Sequence, residues 1–128
     1  MPHPKIRSLT KGELRIMQVL WKKRRATVAD VLAAATLRQL AYTTVLTMLR
    51  ILEQKGAVKR ELEGRAHDYY PAFEQEDAAR TAVRDVVQSF FANSKTALAM
   101  RLIAEEKPDN EELARIKELI AGYEEGAQ

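Results

Sequence analysis

The chain has 128 residues, a formal net charge of +3 and 46% hydrophobic residues, enough for one domain or two small ones with a real core. It contains no cysteine, which excludes disulfides, thiolate zinc sites and thiol redox chemistry. The apolar runs are too short to cross a membrane and the N-terminus has no hydrophobic signal core, so we expect a cytoplasmic protein without membrane insertion.

The net charge hides an asymmetry along the chain. Residues 1–72 hold 14 Lys/Arg against 6 Asp/Glu, or +8, whereas residues 73–128 hold 7 against 12, or −5. Chance segregation is the weaker explanation, because the two halves differ by 13 charges. The pattern predicts a polyanion-binding domain followed by a segment that does not touch the polyanion.

The chain begins with a predicted flexible arm at residues 1–8, which contain two prolines and two basic residues. Thr10 and Glu13 have the spacing of a capping box and predict the start of a first helix. The apolar face of this helix comprises Leu14, Ile16, Met17, Leu20 and Trp21. Four consecutive cations, residues 22–25, end it, either as phosphate contacts or as a solvated helix end.

A helix-turn-helix follows. Thr27 predicts the N-cap of a second helix, whose apolar stripe consists of Val28, Val31, Leu32 and Ala35. Residues 36–41 predict the turn, and residues 42–55 the third helix. Gly56 stands where a left-handed residue commonly ends a helix. Helix, short turn and helix in this order are typical of the helix-turn-helix motif.

The third helix has two distinct faces. Its apolar stripe, formed by Val45, Met48, Leu49 and Leu52, predicts contact with a core. The opposite face carries no acid and no large apolar residue, only Thr43, Thr47, Arg50 and Gln54. Such hydroxyl, guanidinium and amide groups can read base edges and bind phosphates in a major groove. The alternative is an ordinary solvated face, although such faces normally mix Lys with Glu.

A basic β-hairpin comes next. Residues 58–62 and 66–70 are rich in β-formers and predict two strands, with the turn at Glu63-Gly64. Three helices and a hairpin predict a winged helix over residues 9–72. Lys59, Arg60 and Arg65 lie where a wing can contact the phosphate backbone.

Residues 73–128 are acidic and helical. We predict helices at about 75–92 and 97–106, and a third that starts at the N-cap Asp109 with Glu112 at its third position. Fifty-six residues with this much apolar surface are marginal alone, and oligomerisation is a usual remedy. The fold class is therefore mainly α, a winged helix with a C-terminal three-helix homodimerisation domain. The predicted dimer contacts are Val83, Val86, Val87, Phe90, Phe91, Leu98, Leu102, Leu113, Ile116 and Ile120.

Several stretches resemble the penicillinase-repressor family, the BlaI/MecI/CopY group of bacterial transcriptional repressors. They are LTKGELRIMQVLWKK (9–23), ATVADVL (26–32), AYTTVLTMLRILEQKGAVKRE (41–61) and GRAHDYYPA (64–72), together with Phe90-Phe91 and ELARIKELI (112–120). The resemblance implies a dimer that places each third helix in a half-site of an inverted-repeat double-stranded DNA operator. It also implies repression of an operon for β-lactam resistance, copper homeostasis or another stress response.

The resemblance extends to particular residues. Thr43, Thr44 and Thr47 match recognition-helix positions, and Arg65 matches the wing tip. We predict that these three threonines and Arg50 read bases. The best-known members are inactivated when a membrane sensor peptidase pathway leads to cleavage of an Asn-Phe bond in the C-terminal domain, and Arg101-Leu102 stands at that position here. The copper-responsive branch has a cysteine-rich tail, and the absence of cysteine excludes copper sensing by that chemistry.

Two other classes of function compete with this interpretation. An enzyme is disfavoured, because the chain has no Ser/His/Asp or Cys/His set, no Gly-rich phosphate loop and no cluster of ligands at metal spacing. Its two histidines lie 64 positions apart. We therefore expect no catalytic residues, cofactor or metal. A winged helix used only for protein–protein contact is the stronger alternative, but its recognition face would usually be apolar or acidic.

Overall fold

The computed structural model describes residues 9–34 and 37–126. Within these ranges the predicted mainly α class is confirmed, since α-helices and one antiparallel hairpin make up the regular structure. In chain order the elements are α1 (Lys11–Lys23), α2 (Val28–Leu32), α3 (Tyr42–Gln54), β1 (Val58–Glu63), β2 (Ala66–Pro71), α4 (Gln75–Phe90), α5 (Lys95–Glu105) and α6 (Asn110–Gly126). None of these helices is long and apolar enough to cross a membrane. The predicted arm, residues 1–8, and the predicted helix residue Ala35 lie outside the described ranges.

Helix α1 begins at the predicted capping box. The Glu13 N–H donates to the Thr10 hydroxyl at 3.1 Å, and the Thr10 N–H donates to Glu13 Oε1 at 2.8 Å. The helix ends at Arg24, which adopts a positive φ of 73° while its N–H donates to the Leu20 carbonyl. The predicted apolar face packs inward, with Ile16, Met17, Leu20 and Trp21 buried.

Helix α2 has only five residues, and its predicted N-cap Thr27 forms a second capping box with Asp30. Helix α3 begins at the predicted residue and buries Val45, Leu49 and Leu52. Gly56 has a φ of 79°, the left-handed conformation expected after the helix.

The hairpin turn lies one residue later than predicted. Strand β1 continues through Glu63, which pairs with Ala66, so the two-residue loop is Gly64-Arg65 and not Glu63-Gly64. Gly64 supplies the left-handed φ, 63°, that the first position of such a turn needs. The prediction treated glycine as the second turn residue, but the strand pairing places it first. Arg65 therefore lies in the loop itself, at the tip of the wing.

The segment between α1 and α2 adds a short third edge to the hairpin. Ala26 and Tyr69 exchange both backbone hydrogen bonds, at 2.8 and 3.0 Å, as an isolated antiparallel bridge. Tyr69 is buried in the core between the wing and the helices. This bridge fixes the base of the wing against the helix-turn-helix.

The winged-helix core continues past the predicted boundary at residue 72. Phe73 and Ala78 are buried members of the core, and the indole N–H of Trp21 donates to the Phe73 carbonyl at 2.9 Å. The chain forms two compact units, residues 1–85 and 86–128, with the division inside α4. The first turns of α4 thus complete the first unit, and the division into functional domains at residue 72 stays a prediction.

The second unit contains the end of α4 with α5 and α6. Ser94 caps α5, and the predicted capping box between Asp109 and Glu112 is present at 2.8 and 3.0 Å. Neither α5 nor α6 has a fully buried residue. A groove of about 520 Å³ lies between them, lined in part by Leu102, Ile116 and Leu119. These helices expose apolar surface that one chain does not cover.

Candidate nucleic-acid interface

The outer face of α3 presents the predicted polar residues to solvent. Thr43, Thr44, Thr47 and Arg50 are all exposed, because the buried positions of the helix point to the opposite side. The first turn of α3 contains no acid. The face therefore offers hydroxyls and a guanidinium to a ligand without a carboxylate that would repel phosphate.

Thr47 already uses its hydroxyl proton within the helix. Its Oγ1 donates to the Thr43 carbonyl at 2.9 Å, a common arrangement for helical threonine. What remains for a ligand is the γ-methyl group and the acceptor lone pairs of Oγ1. Such a side chain suits a thymine methyl or a base amino group.

A cleft of about 400 Å³ separates α3 from the wing. Arg50 of α3 and Arg65 of the wing tip both line it, as does Tyr42. The remaining lining residues are Thr27, Val28, Ala29, Leu46, Ala66, His67 and Tyr69. No aspartate or glutamate lines this cleft, so its charged side chains are cationic.

The cation run at residues 22–25 divides into two parts. Arg24 makes a bidentate contact with Glu74 at 3.1 and 3.2 Å. Arg25 lies 3.5 Å from Glu61 and 3.6 Å from Asp68, and it stacks over the Tyr70 ring at 5.2 Å. Lys22 and Lys23 are exposed and form no ion pair within the described part of the chain.

The predicted wing cations differ in the same way. Arg60 pairs with Glu53 of α3 at 3.2 Å, which connects the wing to α3. Lys59 and Arg65 are exposed, and neither has an ion-pair partner among the residues described. No described acid neutralises Lys59 or Arg65, whereas Glu53 neutralises Arg60; the strand register places Lys59 on the same side of the hairpin as Glu61.

An ion pair that the sequence did not reveal holds the end of α3. Lys55 Nζ lies 2.7 Å from Glu13 Oε1, and the Glu13 side chain is only 6% exposed. Burial raises the pKa of Glu13. The hydrogen bonds from the Lys55 ammonium and the Thr10 N–H together lower it by more, so the pKa lies below its ordinary value of 4.5. Glu13 thus caps α1 and positions α3 at once. Its capping spacing was visible in the sequence, whereas its contact 42 positions away was not.

The predicted dimer contacts vary in exposure within the single chain. Phe90 is 80% exposed and Val83 52%, whereas Val87 is buried. Val86, Leu102 and Ile120 are also exposed, and Phe91, Leu98, Leu113 and Ile116 are half-buried.

The residues at the implied cleavage position, Arg101 and Leu102, lie within α5. Arg101 pairs with Glu105 at 3.2 Å and its guanidinium lies 5.7 Å from the Phe91 ring centre. Leu102 is exposed. The bond between them is part of a helix, whereas proteases generally act on extended chain.

Known proteins resemble this chain in sequence and architecture. The penicillinase repressor of Bacillus licheniformis is 23% identical over 122 residues, which cover 91% of each chain. The structure of the hsRosR-S4 complex aligns over the whole of both chains with a TM-score of 0.56 at 16% identity, a likeness of fold alone. The DNA-binding domain of the repressor BlaI is 30% identical and covers 56% of this chain and 89% of its own, with a TM-score of 0.49. The family model described as penicillinase repressor matches residues 9–122. The chain belongs to the penicillinase repressor family.

Proposed function

We propose that this protein is a DNA-binding transcriptional repressor that places α3 in the major groove of an operator half-site. The observation that carries the proposal is the exposed, acid-free face of α3 on a winged helix of this family. An α-helix fits the major groove, where each base pair presents a distinct pattern of donors, acceptors and methyl groups.

Base reading falls to the N-terminal half of α3. Recognition helices of this class contact base edges with their N-terminal residues, and Thr43, Thr44 and Thr47 lie there, exposed. We expect Thr47→Ala to weaken operator binding by about 1–3 kcal/mol while changing binding to random DNA little. Thr96→Ala, at an exposed threonine of α5, is the matched control. Equal losses on both DNAs would assign Thr47 to backbone positioning or helix packing.

Phosphate contacts come from exposed cations of the first unit. Lys22, Lys23, Lys59 and Arg65 form no ion pair within the described ranges, and we expect three to four phosphate contacts for each subunit from this group. Each neutralised phosphate adds about 0.9 to the log–log salt slope, so a dimer should show a slope of about −5 to −7.

Homodimerisation completes the proposed repressor. Helices α5 and α6 bury no residue fully, and their exposed apolar side chains need a covering surface. A second copy provides one, and a two-fold dimer presents two α3 helices to an inverted repeat whose half-sites lie about one helical turn, or a multiple of it, apart. Because the two half-sites are linked, each subunit alone would bind far more weakly.

A charge substitution tests the dimer. Phe90→Asp should give a monomer with weak operator affinity, because it places a carboxylate in the apolar surface that the partner would cover. Gln88→Asp is the control. It adds the same charge two positions earlier in α4, on nearly the opposite side of the helix from Phe90. Sedimentation and gel-shift titration of both variants measure the effect. Wild-type protein that sediments as a monomer at a concentration about ten times its operator dissociation constant would contradict the dimer.

The operator experiment tests the function itself. Genomic fragments bound in a gel shift should contain an inverted repeat, and binding should weaken with salt as given above. A slope near zero would refute DNA binding and favour a winged helix that contacts only protein. We propose that the regulated genes serve an antibiotic or other stress response, which transcript levels in a deletion strain would test.

Induction by proteolysis would need α5 to open. The Arg101-Leu102 bond lies inside a helix, so a protease of a membrane sensor pathway would cut only after local unfolding of that helix. Severing α5 would remove the apolar surface proposed for dimerisation and lower operator affinity without altering α3. Incubation with inducer-treated cell extract, followed by mass measurement of the fragments, tests this route.

A further inference from the structure

The cleft between α3 and the wing brings together two arginines that come from different elements. Arg50 lies on α3 and Arg65 in the loop of the hairpin, yet both line the same 400 Å³ space. Neither forms an ion pair with any residue described in the structure, and both are exposed. With no acid among the lining residues, two uncompensated guanidinium groups give the cleft a positive potential that favours an anion.

The strand register places the acids of the wing on one face of the hairpin, opposite His67 and Tyr69. Glu61, Glu63 and Asp68 point to one side of the hairpin, because Glu61 pairs with Asp68 and Glu63 follows two residues later in the same strand. Arg25 lies against Glu61 and Asp68. His67 and Tyr69, on the opposite side, line the cleft. The three carboxylates thus point to the side opposite His67 and Tyr69, and Arg25 pairs with two of them. Ala66, which pairs with Glu63, is the one described residue of the acidic side that lines the cleft.

Arg50 lies farther along α3 than the threonines near its start. It is three positions, about 4.5 Å of helix axis, beyond Thr47 and seven positions, about 10.5 Å, beyond Thr43. When the N-terminal part of a recognition helix enters the groove, its later turns pass the sugar-phosphate backbone at the groove edge. The wing lies across the cleft from α3, so a strand that passes the later turns of α3 would run along this cleft.

We infer that Arg50 and Arg65 hold the same backbone phosphate of the operator from two sides of this cleft. Arg50 is then a positioning residue and not a reader of bases, and the exposed phenol of Tyr42 supplies a further donor to the same strand. A guanidinium suits this task because its planar donors bind phosphate oxygens in pairs. The inference rests on the proposed DNA-binding function and specifies which groups of the nucleic acid the cleft takes.

The test compares Arg50→Ala, Arg65→Ala and the double variant on the operator and on random DNA of equal length. Arg15→Ala, at an exposed arginine of α1 outside the cleft, controls for the loss of one charge. Each cleft variant should lower affinity about ten- to hundredfold on both DNAs, because a phosphate carries no sequence information. The double variant should lose less than the product of the single losses, because the two arginines share one partner.

Ethylation interference locates the phosphate directly. Wild-type protein should show one phosphate in each half-site whose ethylation blocks binding. Interference at that same phosphate should weaken in each single variant, where the other arginine remains, and disappear in the double variant. The salt slope of the dimeric double variant should be shallower by about 2, two shared phosphates at 0.9 each, and not by about 4.

Three results would overturn the inference while leaving the repressor function intact. The first is an Arg50→Ala loss confined to the operator, which would make Arg50 a base reader. The second is loss of interference at different phosphates in the two variants, and the third is a loss no larger than that of Arg15→Ala. If wild-type protein binds no DNA at any salt concentration, the proposed function itself fails, which these assays report separately. Circular dichroism of every variant checks that the fold is retained.

Discussion

The ion pair between Glu13 and Lys55 predicts that two substitutions together cost less than one of them alone. The Glu13 side chain is 6% exposed and that of Lys55 26%. Lys55→Met would leave a buried carboxylate without its ion-pair partner, stabilised only by its hydrogen bonds with Thr10. Removing one member of a buried pair costs about 3–5 kcal/mol, so we expect a loss of about 3 kcal/mol in the free energy of unfolding, because part of the compensation remains.

Glu13→Gln should cost less, about 1 kcal/mol. A glutamine still accepts the Thr10 N–H as part of a capping box, and the partly exposed Lys55 ammonium can turn into water. Adding Glu13→Gln to Lys55→Met removes the unpaired charge, so the double variant should be more stable than Lys55→Met alone. Urea unfolding followed by circular dichroism measures all four proteins. Independent, additive losses of less than about 0.5 kcal/mol each would refute the reasoning.

The same pair predicts a dependence on pH. The pKa of Glu13 in the folded protein lies below its ordinary value of 4.5, so the unfolded state binds the proton more readily. The stabilisation from this group is therefore fully present above pH 4.5 and is lost as the pH falls through the lower, folded-state pKa. The stability difference between wild type and Glu13→Gln should shrink in that acidic range and stay constant near neutral pH. A difference that grows on acidification would contradict the assignment.

Three further predictions follow from local geometry. Thr47→Val should keep operator affinity and Thr47→Ser should lose it if the methyl group makes the base contact, as gel-shift titration would show; the reverse order would mean that Oγ1 accepts a hydrogen bond from a base. Trp21→Phe should lower the free energy of unfolding by about 1–3 kcal/mol, because it removes the buried hydrogen bond from the indole N–H to the Phe73 carbonyl. A loss near zero would show that this bond contributes nothing. Gly64→Ala should lower the free energy of unfolding by about 1 kcal/mol, because φ is 63° there and no neighbour is close enough to clash. Gly122→Ala in α6 should raise it by up to about 1 kcal/mol, and equal effects of the two substitutions in urea unfolding would refute the conformational argument.

The helices of the first unit were predictable because their signals are local. Thr10 and Glu13 carry a capping box in three residues of spacing, and the stripe of Val45, Leu49 and Leu52 follows the helical period. The hairpin was predictable as an element but not in its turn. Its register depends on which alternate residues enter the core, and Tyr69 and Val58 decide that only once the helices are in place.

The contacts that distinguish one arginine from another could not be read from the sequence. Arg24 and Arg25 pair with acids from distant segments and Arg60 with Glu53 of the preceding helix, whereas Arg65 and Arg50 form no ion pair among the described residues. A run of cations looks uniform along a chain, since its charge is visible and its partners are not. The grouping of Arg50 with Arg65 in one cleft likewise depends on how the hairpin folds back beside α3.

Trp21 gives the first unit an optical reporter of its own. It is the chain's single tryptophan, it is 8% exposed, and its indole donates to the carbonyl of a residue just before α4. Residues 86–128 contain no tryptophan, so indole emission follows the first unit alone while far-ultraviolet ellipticity follows helices in both. Urea unfolding is followed by both signals at several protein concentrations. Comparing them separates the unfolding of the winged helix from that of the helical half. If dimerisation stabilises only the latter, the ellipticity transition will shift with protein concentration and the emission transition will not.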